Sequence, residues 1–212
     1  MEVSELITSL KSGELKKLSL KTSESDVFGF INDGILDLYK RFPLHRENVS
    51  ITPVAGVKDY VFDGYDTNVP LNLDESVLLL IEEVTATSPA PDNLVYTFIP
   101  SNRTKPENFS TPSYNTLRIN TNYELYALDV DVRLAPQPLL KTNEDIPLPP
   151  QLLRLLRLFV GYKGSNSVSA DIKGENNTYY VRYLSEVKEL ILSGQYPIDE
   201  LEYSQLDSKG FL

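Results

Sequence analysis

SDVFGFINDGILDLYKRFP, Ser25–Pro43, is the stretch from which the rest of the chain is best read. Val27, Ile31, Ile35, Leu38 and Phe42 recur at spacings of three and four, which lines them along one stripe of an α-helix, with Phe28 and Tyr39 beside it. Ser23 or Ser25 can cap its start. Ser23 followed by Asp26 has the spacing of a capping box, although Asp reaches back less well than Glu. Pro43 ends the helix, because it lacks an amide proton and clashes with the preceding turn. Lys40 and Arg41 fall in the last turn, where the helix dipole favours cations. Gly29 and Gly34 each weaken such a helix by about 1 kcal/mol. Either a neighbouring helix approaches closely there, or both glycines face solvent.

Working outward, Val3, Leu6, Ile7 and Leu10 give a short first helix over Val3–Leu10, closed near Gly13. Gly13–Leu20 has no clear period, and Leu15, Leu18 and Leu20 cover the end of the bundle. Downstream the period changes to two. Val49–Pro53 and Tyr60–Phe62 read as a hairpin, Ser76–Ala86 and Asn93–Ile99 as strands, and Thr116–Ile119 as a short strand. Thr87–Pro91 and Pro100–Ser113, rich in Pro, Ser, Asn and Thr, read as loop, the second a long one. Leu125–Leu134 alternates cleanly: Tyr126, Leu128, Val130, Val132 and Leu134 point one way, and Ala127, Asp129, Asp131 and Arg133 the other. That predicts an antiparallel sheet with one wet face.

Pro136–Pro147 is a linker back to helix. Pro149 and Pro150 suit a helix start, and Gln151–Tyr162 is apolar nearly all round except for Arg154 and Arg157. Thr178–Ser193 is helical again, with Tyr180, Leu184, Val187 and Ile191 as its stripe, flanked by Tyr183 and Leu190, and Gly194 as its stop. The fold class is therefore α+β: a small helical bundle with an inserted antiparallel β region. The segments run 1–48 for the first helices, 49–140 for the insertion, 141–194 for the last helices and 195–212 for a tail. Ile31, Ile35 and Leu38 should meet Leu152, Leu156 and Phe159 across the bundle.

At 212 residues the chain can bury a sizeable core. Its formal charge of −10 argues against a general nucleic-acid binder. The insertion, 49–140, carries 12 acidic against 5 basic side chains, and the flanks are close to balanced. With no cysteine there is no disulfide, thiolate chemistry or Cys-containing zinc site. Glu2 and Glu5 after Met1 do not look like a secretory signal, and the apolar runs near Val77–Ile81 and Leu155–Val160 are too short to span a bilayer, so no membrane partner is expected.

Candidate chemistry is sparse. His45, the single histidine, follows Pro43 at a helix exit and reads as a structural or surface residue. Asp129 and Asp131, about 7 Å apart on one strand face, could do acid–base work or hold Mg²⁺, but the alternation already explains them as a solvated face. Glu82 and Glu83 are weaker candidates, since adjacent strand residues point to opposite faces. No phosphate loop and no GxSxG context occurs. No catalytic, cofactor-binding or metal-binding residue is assigned, and no cofactor is expected. Arg154 and Arg157, three apart on one helix face, suit a subunit or channel interface, or else an intrachain pairing. The thirteen tyrosines are a weak sign of interfaces.

The blocks VSELI, SDVFGFINDGILDLYKRFPL, YALDVDVRLAPQP, IPLPPQLLRLLRLFVGYKG and YYVRYLSEVKEL, in that order, resemble the head-to-tail adaptor proteins of tailed bacteriophages, also called connector or neck proteins. The resemblance covers Val3–Leu44 and Leu125–Ser193. The GSNSVSADIKGENN segment departs from the shorter link of that family and leaves the length of the third helix open. The resemblance implies a non-enzymatic ring, commonly of twelve copies, beneath the portal protein at the head–tail interface of the virion. Such a ring also meets the next tail or neck protein and extends the channel through which double-stranded DNA passes without sequence-specific contact. An acidic channel wall would let DNA slide. The tail is then the portal-docking segment, with Tyr196, Ile198, Leu201, Tyr203 and Phe211 as anchors, or else it folds back over its own bundle. Two other classes compete: a carboxylate-dependent hydrolase or nuclease, in which Asp129, Asp131 and Glu82–Glu83 converge in one pocket, and a host-surface binding module that uses the Pro/Asn-rich loop.

Overall fold

A computed structural model describes residues 1–13, 15–16, 23–89, 94–99, 109–119, 126–168 and 178–194. Within them lies a small α+β fold, four helices with two antiparallel sheets inserted between the second and third. The chain divides into two compact units, a helical one built from residues 1–42 and 138–194, and a β lobe, Pro43–Gln137.

In the helical unit, α1 spans Val3–Ser12 and α2 spans Glu24–Arg41. Glu2 and Glu5 form a capping box on α1, and Ser23 and Asp26 form the expected one on α2. Hydrogen bonds from Ser23 hold the Asp26 carboxyl below its ordinary value. Val3, Leu6, Ile7 and Leu10 are all buried, as are Val27, Ile31, Ile35, Leu38 and Phe42. A turn of 3₁₀-helix, Pro150–Leu152, opens α3, Leu153–Val168, which runs beyond the Tyr162 limit expected from the sequence. The last helix, α4, spans Thr178–Leu192.

The two glycines of α2 behave differently. A Cβ on Gly34 would lie 2.5 Å from Leu156 Cδ1 and 3.0 Å from Phe159 Cδ1, so here α3 does approach closely. A Cβ on Gly29 would meet nothing within 4 Å. Tyr39 Oη donates to the Pro147 carbonyl at 2.7 Å and Lys163 pairs with Asp33 at 3.2 Å, so α2 and α3 run antiparallel.

The returning linker is pinned. Asn32 clasps the backbone of Leu139, donating from Nδ2 to its carbonyl at 3.1 Å and accepting its N–H at 2.9 Å. The first free N–H groups of α1, on Val3 and Ser4, donate to the carbonyls of Glu144 and Thr142.

In the lobe, one sheet has the order β1-β7-β3-β4 and the other β2-β6-β5. Their strands are β1, Arg46–Ile51; β2, Asp59–Val61; β3, Ser76–Thr87; β4, Val95–Phe98; β5, Phe109–Ser113; β6, Thr116–Ile119; and β7, Ala127–Pro136. Two expectations are corrected. The segments read as a hairpin, Val49–Pro53 and Tyr60–Phe62, do not pair. β1 joins β7, setting Val49 against Val130 and Ile51 against Leu128, whereas β2 joins β6, setting Tyr60 against Leu117. Arg118 also grips Asp59 with two nitrogens, at 2.7 and 2.9 Å. Part of the long loop, Phe109–Ser113, is a strand paired with β6, anchored by the buried Phe109. The inward residues of β7 (Leu128, Val130, Val132 and Leu134) join a core shared with Tyr60, Phe62, Val84, Ala86 and Leu117.

Gly34→Ala should lose about 1 kcal/mol or more in urea denaturation, because overpacking against Leu156 and Phe159 outweighs the gain in helix propensity. Gly29→Ala, with open space, should gain about 0.5–1 kcal/mol. Equal shifts in the two variants would mean that α3 does not press on Gly34.

Candidate functional site

β7 is an interior strand of its sheet, so its outward side chains are flanked on both sides. Asp131 lies opposite Asn48 on β1 and Glu83 on β3, and Asp129 lies opposite Ser50 and Thr85. Asn48 Nδ2 donates to Asp131 at 2.6 Å, and Ser50 Oγ donates to Asp129 at 2.7 Å. The alternation of β7 predicted this polar face.

It did not predict Arg133. That residue belongs to the outward set, yet it is 2 % exposed. The cause is a bulge. The register passes from Ile81 opposite Val132 to Glu83 opposite Asp131, leaving Glu82 as the extra residue. Glu82 and Glu83 were expected on opposite faces; the bulge turns both outward. Glu82 then takes Arg133 Nε at 2.5 Å on one oxygen and Arg46 Nε at 2.5 Å on the other. A guanidinium this deeply covered is tolerable only with a charged partner.

The four carboxylates therefore share a face but are already engaged: two accept from neutral donors, Glu82 is held by two arginines, and Glu83 has Thr85 Oγ1 at 3.5 Å. Among the described residues no group of three or more His, Asp or Glu side chains is placed to hold a metal ion. His45 is exposed and contributes its carbonyl, which accepts the Leu134 N–H at 3.0 Å.

In the helical unit, Arg154 is 77 % exposed and pairs with Glu186 of α4 at 2.7 Å, so it has an intrachain partner. Arg157 is half-buried, and its Nε is a buried nitrogen with no hydrogen-bond partner among the described residues. A Cβ on Gly161 would lie 3.0 Å from the Tyr179 ring; this contact and the Arg154–Glu186 pair make α3 and α4 antiparallel. The docking anchors Tyr196, Ile198, Leu201, Tyr203 and Phe211 lie outside the described residues.

The sequence reading missed a polar knot between α2 and α4. Tyr183 Oη donates to Asp37, which also accepts from Arg41 Nε at 2.7 Å, and the Arg41 guanidinium lies 5.5 Å from the Tyr183 ring centroid. Burial, reinforced by the Asp37 charge, pushes the Tyr183 phenol far above its ordinary value. For Arg41, burial works against the charge, but the hydrogen bond to Asp37 and nearby charges prevail and raise its pKa. The Asp37/Arg41 spacing of four was readable as a helical ion pair. The stripe assigned to α4 was displaced, since Tyr183 and Val187 are buried while Tyr180, Leu184 and Ile191 are only half-buried.

No helix among the described residues is long and apolar enough to cross a membrane. No protein-family model matches the chain, and no curated protein matches it either.

Two consequences follow for stability. Glu82→Ala should cost about 3–5 kcal/mol in urea denaturation, because it removes the carboxylate paired with the buried Arg133; a loss below about 1 kcal/mol would show that this pair does not hold the sheet. The Tyr183 phenol titrates near 10.0 when unfolded and holds its proton to higher pH when folded. Above pH 10 the unfolded chain binds fewer protons, so stability falls as pH rises. Wild-type melting temperature should therefore drop more steeply above pH 10 than that of Tyr183→Phe, and parallel profiles would contradict the assignment.

Proposed function

We propose that this chain is a structural head-to-tail adaptor of a tailed bacteriophage, forming a ring under the portal that extends the DNA channel and gives the tail its attachment platform. The observation that carries the reading is the order of the fold. Two helices are followed by an inserted β lobe with its own core, then by two helices that complete the first hydrophobic unit. The blocks on which the resemblance rests fall in α1, α2, β7, α3 and α4, in that order. Glu82 is held by two arginines, and Asp129 and Asp131 each accept a hydrogen bond from a neutral donor on β1, so the competing hydrolase reading would have to start from these two aspartates alone.

In this reading the chain works in the virion, at the head–tail interface. Its partners are further copies of itself, commonly twelve, the portal protein, the next tail or neck protein, and double-stranded DNA that slides past without sequence-specific contact. Arg154 and Arg157 belong to the subunit or channel face. Tyr196, Ile198, Leu201, Tyr203 and Phe211 are the portal-docking anchors.

The test is mass and image together. Mixed with its portal, the 23.9 kDa chain should sediment as a high multiple of that mass and appear as rings in electron micrographs. A chain that remains at 23.9 kDa, both alone and with the portal, overturns the proposal.

A further inference from the structure

Most exposed positions of α2 and α4 fall on a line with alternating steps of three and four. On α2 these are Asp26, Gly29, Asp33, Leu36 and Lys40, and on α4 Thr178, Arg182, Ser185, Glu189 and Leu192; Ser25 and Val181 are exposed beside the lines. Steps of three and four keep each line on one helix face, the face turned away from the hydrophobic unit. Leu36 is 37 % exposed and Leu192 66 % exposed.

The charges on the two lines are complementary. Asp33 precedes Lys40 by seven residues, and Arg182 precedes Glu189 by seven, so each pair spans about 10.5 Å of helix. With the helices parallel and Asp33 level with Arg182, Lys40 meets Glu189, Leu36 meets Ser185, and Gly29 meets Thr178. Sliding α2 by a heptad sets Asp33 against Glu189, like charges. Antiparallel packing can make at most one of the two pairs. The bond from Lys163 to Asp33 is compatible, since an exposed carboxylate accepts from several donors.

Two further observations fit a neighbouring helix at this face. Gly29 has open space where its Cβ would be, so nothing among the described residues accounts for its cost to α2. In addition, α2 and α4 are each antiparallel to α3, hence parallel to one another within one copy. Rotation about an axis along these helices preserves that direction, which is what a head-to-tail ring contact requires. Within one copy Tyr183 meets Asp37, three residues from the level of the seam register. That offset is about 4.5 Å, within reach of a modest helix tilt.

We propose that α2 of one copy and α4 of the next form this seam, Asp33 against Arg182 and Lys40 against Glu189, and that it is the repeating contact between copies. The closure of that contact into a ring rests on the function proposed above; the pairing itself does not.

The chain has no cysteine, so Leu36→Cys and Ser185→Cys supply the only thiols. Full-length chain carrying both should give a ladder of disulfide-linked copies on mild oxidation, and a mixture of the two single variants should give a covalent dimer. Adding Lys40→Glu to the double variant should slow linking several-fold, and adding Glu189→Lys as well should restore it. Absence of both ladder and mixed dimer overturns the contact. So does a link formed by Leu36→Cys alone, because a head-to-tail seam never brings two copies of position 36 together. Wild-type mass measured in parallel separates the two ideas. Rings without a ladder leave the ring standing and this contact false, whereas a ladder from a chain that never closes leaves the contact standing and the ring false.

Discussion

The antiparallel pairing of β1 with β7 is the constraint that lets one chain carry two cores. Arg46 sits opposite Arg133, and the His45 carbonyl accepts the Leu134 N–H, so the chain leaves the lobe on the strand next to the one by which it came in. Bringing the ends of a flexible segment of this length together would cost on the order of 4 kcal/mol of entropy. Here the lobe's own core holds them, through Val49, Ile51, Leu128 and Val130. On the helical side, the Asn32 clasp on Leu139 and the capping of α1 by the carbonyls of Thr142 and Glu144 receive the returning strand end. The linker is thus a structural member of the helical unit.

What could be read in the sequence was whatever a local period determines. The stripes of α1 and α2 and the inward set of β7 have regular spacing, so their buried residues follow from position alone. Pairing across long separations left no such trace. Val49–Pro53 and Tyr60–Phe62 looked like a hairpin because they are close in sequence, but their partners lie in β7 and β6. β5 was hidden by Pro112 in a polar stretch, and only Phe109 hinted at it. Arg133 obeyed the alternation and still ended up buried, because the bulge at Glu82 supplied a counter-charge that no periodicity encodes. At the candidate site, Arg154 and Arg157 stood out in an apolar helix, but the sequence could not say that one has a partner in Glu186 while the other has a nitrogen with no partner among the described residues.

Charge is organised differently in the two units. In the lobe, the carboxylates of the outward sheet face accept from nearby amide, hydroxyl and guanidinium donors on neighbouring strands. In the helical unit, the buried Tyr183–Asp37–Arg41 knot fixes α2 against α4, and the exposed charges lie in ordered lines on the outer faces of the same two helices.

The insertion also sets a timetable for synthesis. The apolar stripe of α2 is finished once Phe42 is made, but Leu156 and Phe159, which cover Gly34, emerge more than a hundred residues later. At roughly 5–20 residues per second, that leaves the face of α2 at Gly34 uncovered by α3 for about 5–20 seconds on the ribosome. In that interval α1 and the Ser23 capping box are already made. The nascent chain is therefore most vulnerable to aggregation, and most open to a chaperone, while the lobe is being translated, and the Asn32 clasp marks the point at which that exposure begins to end.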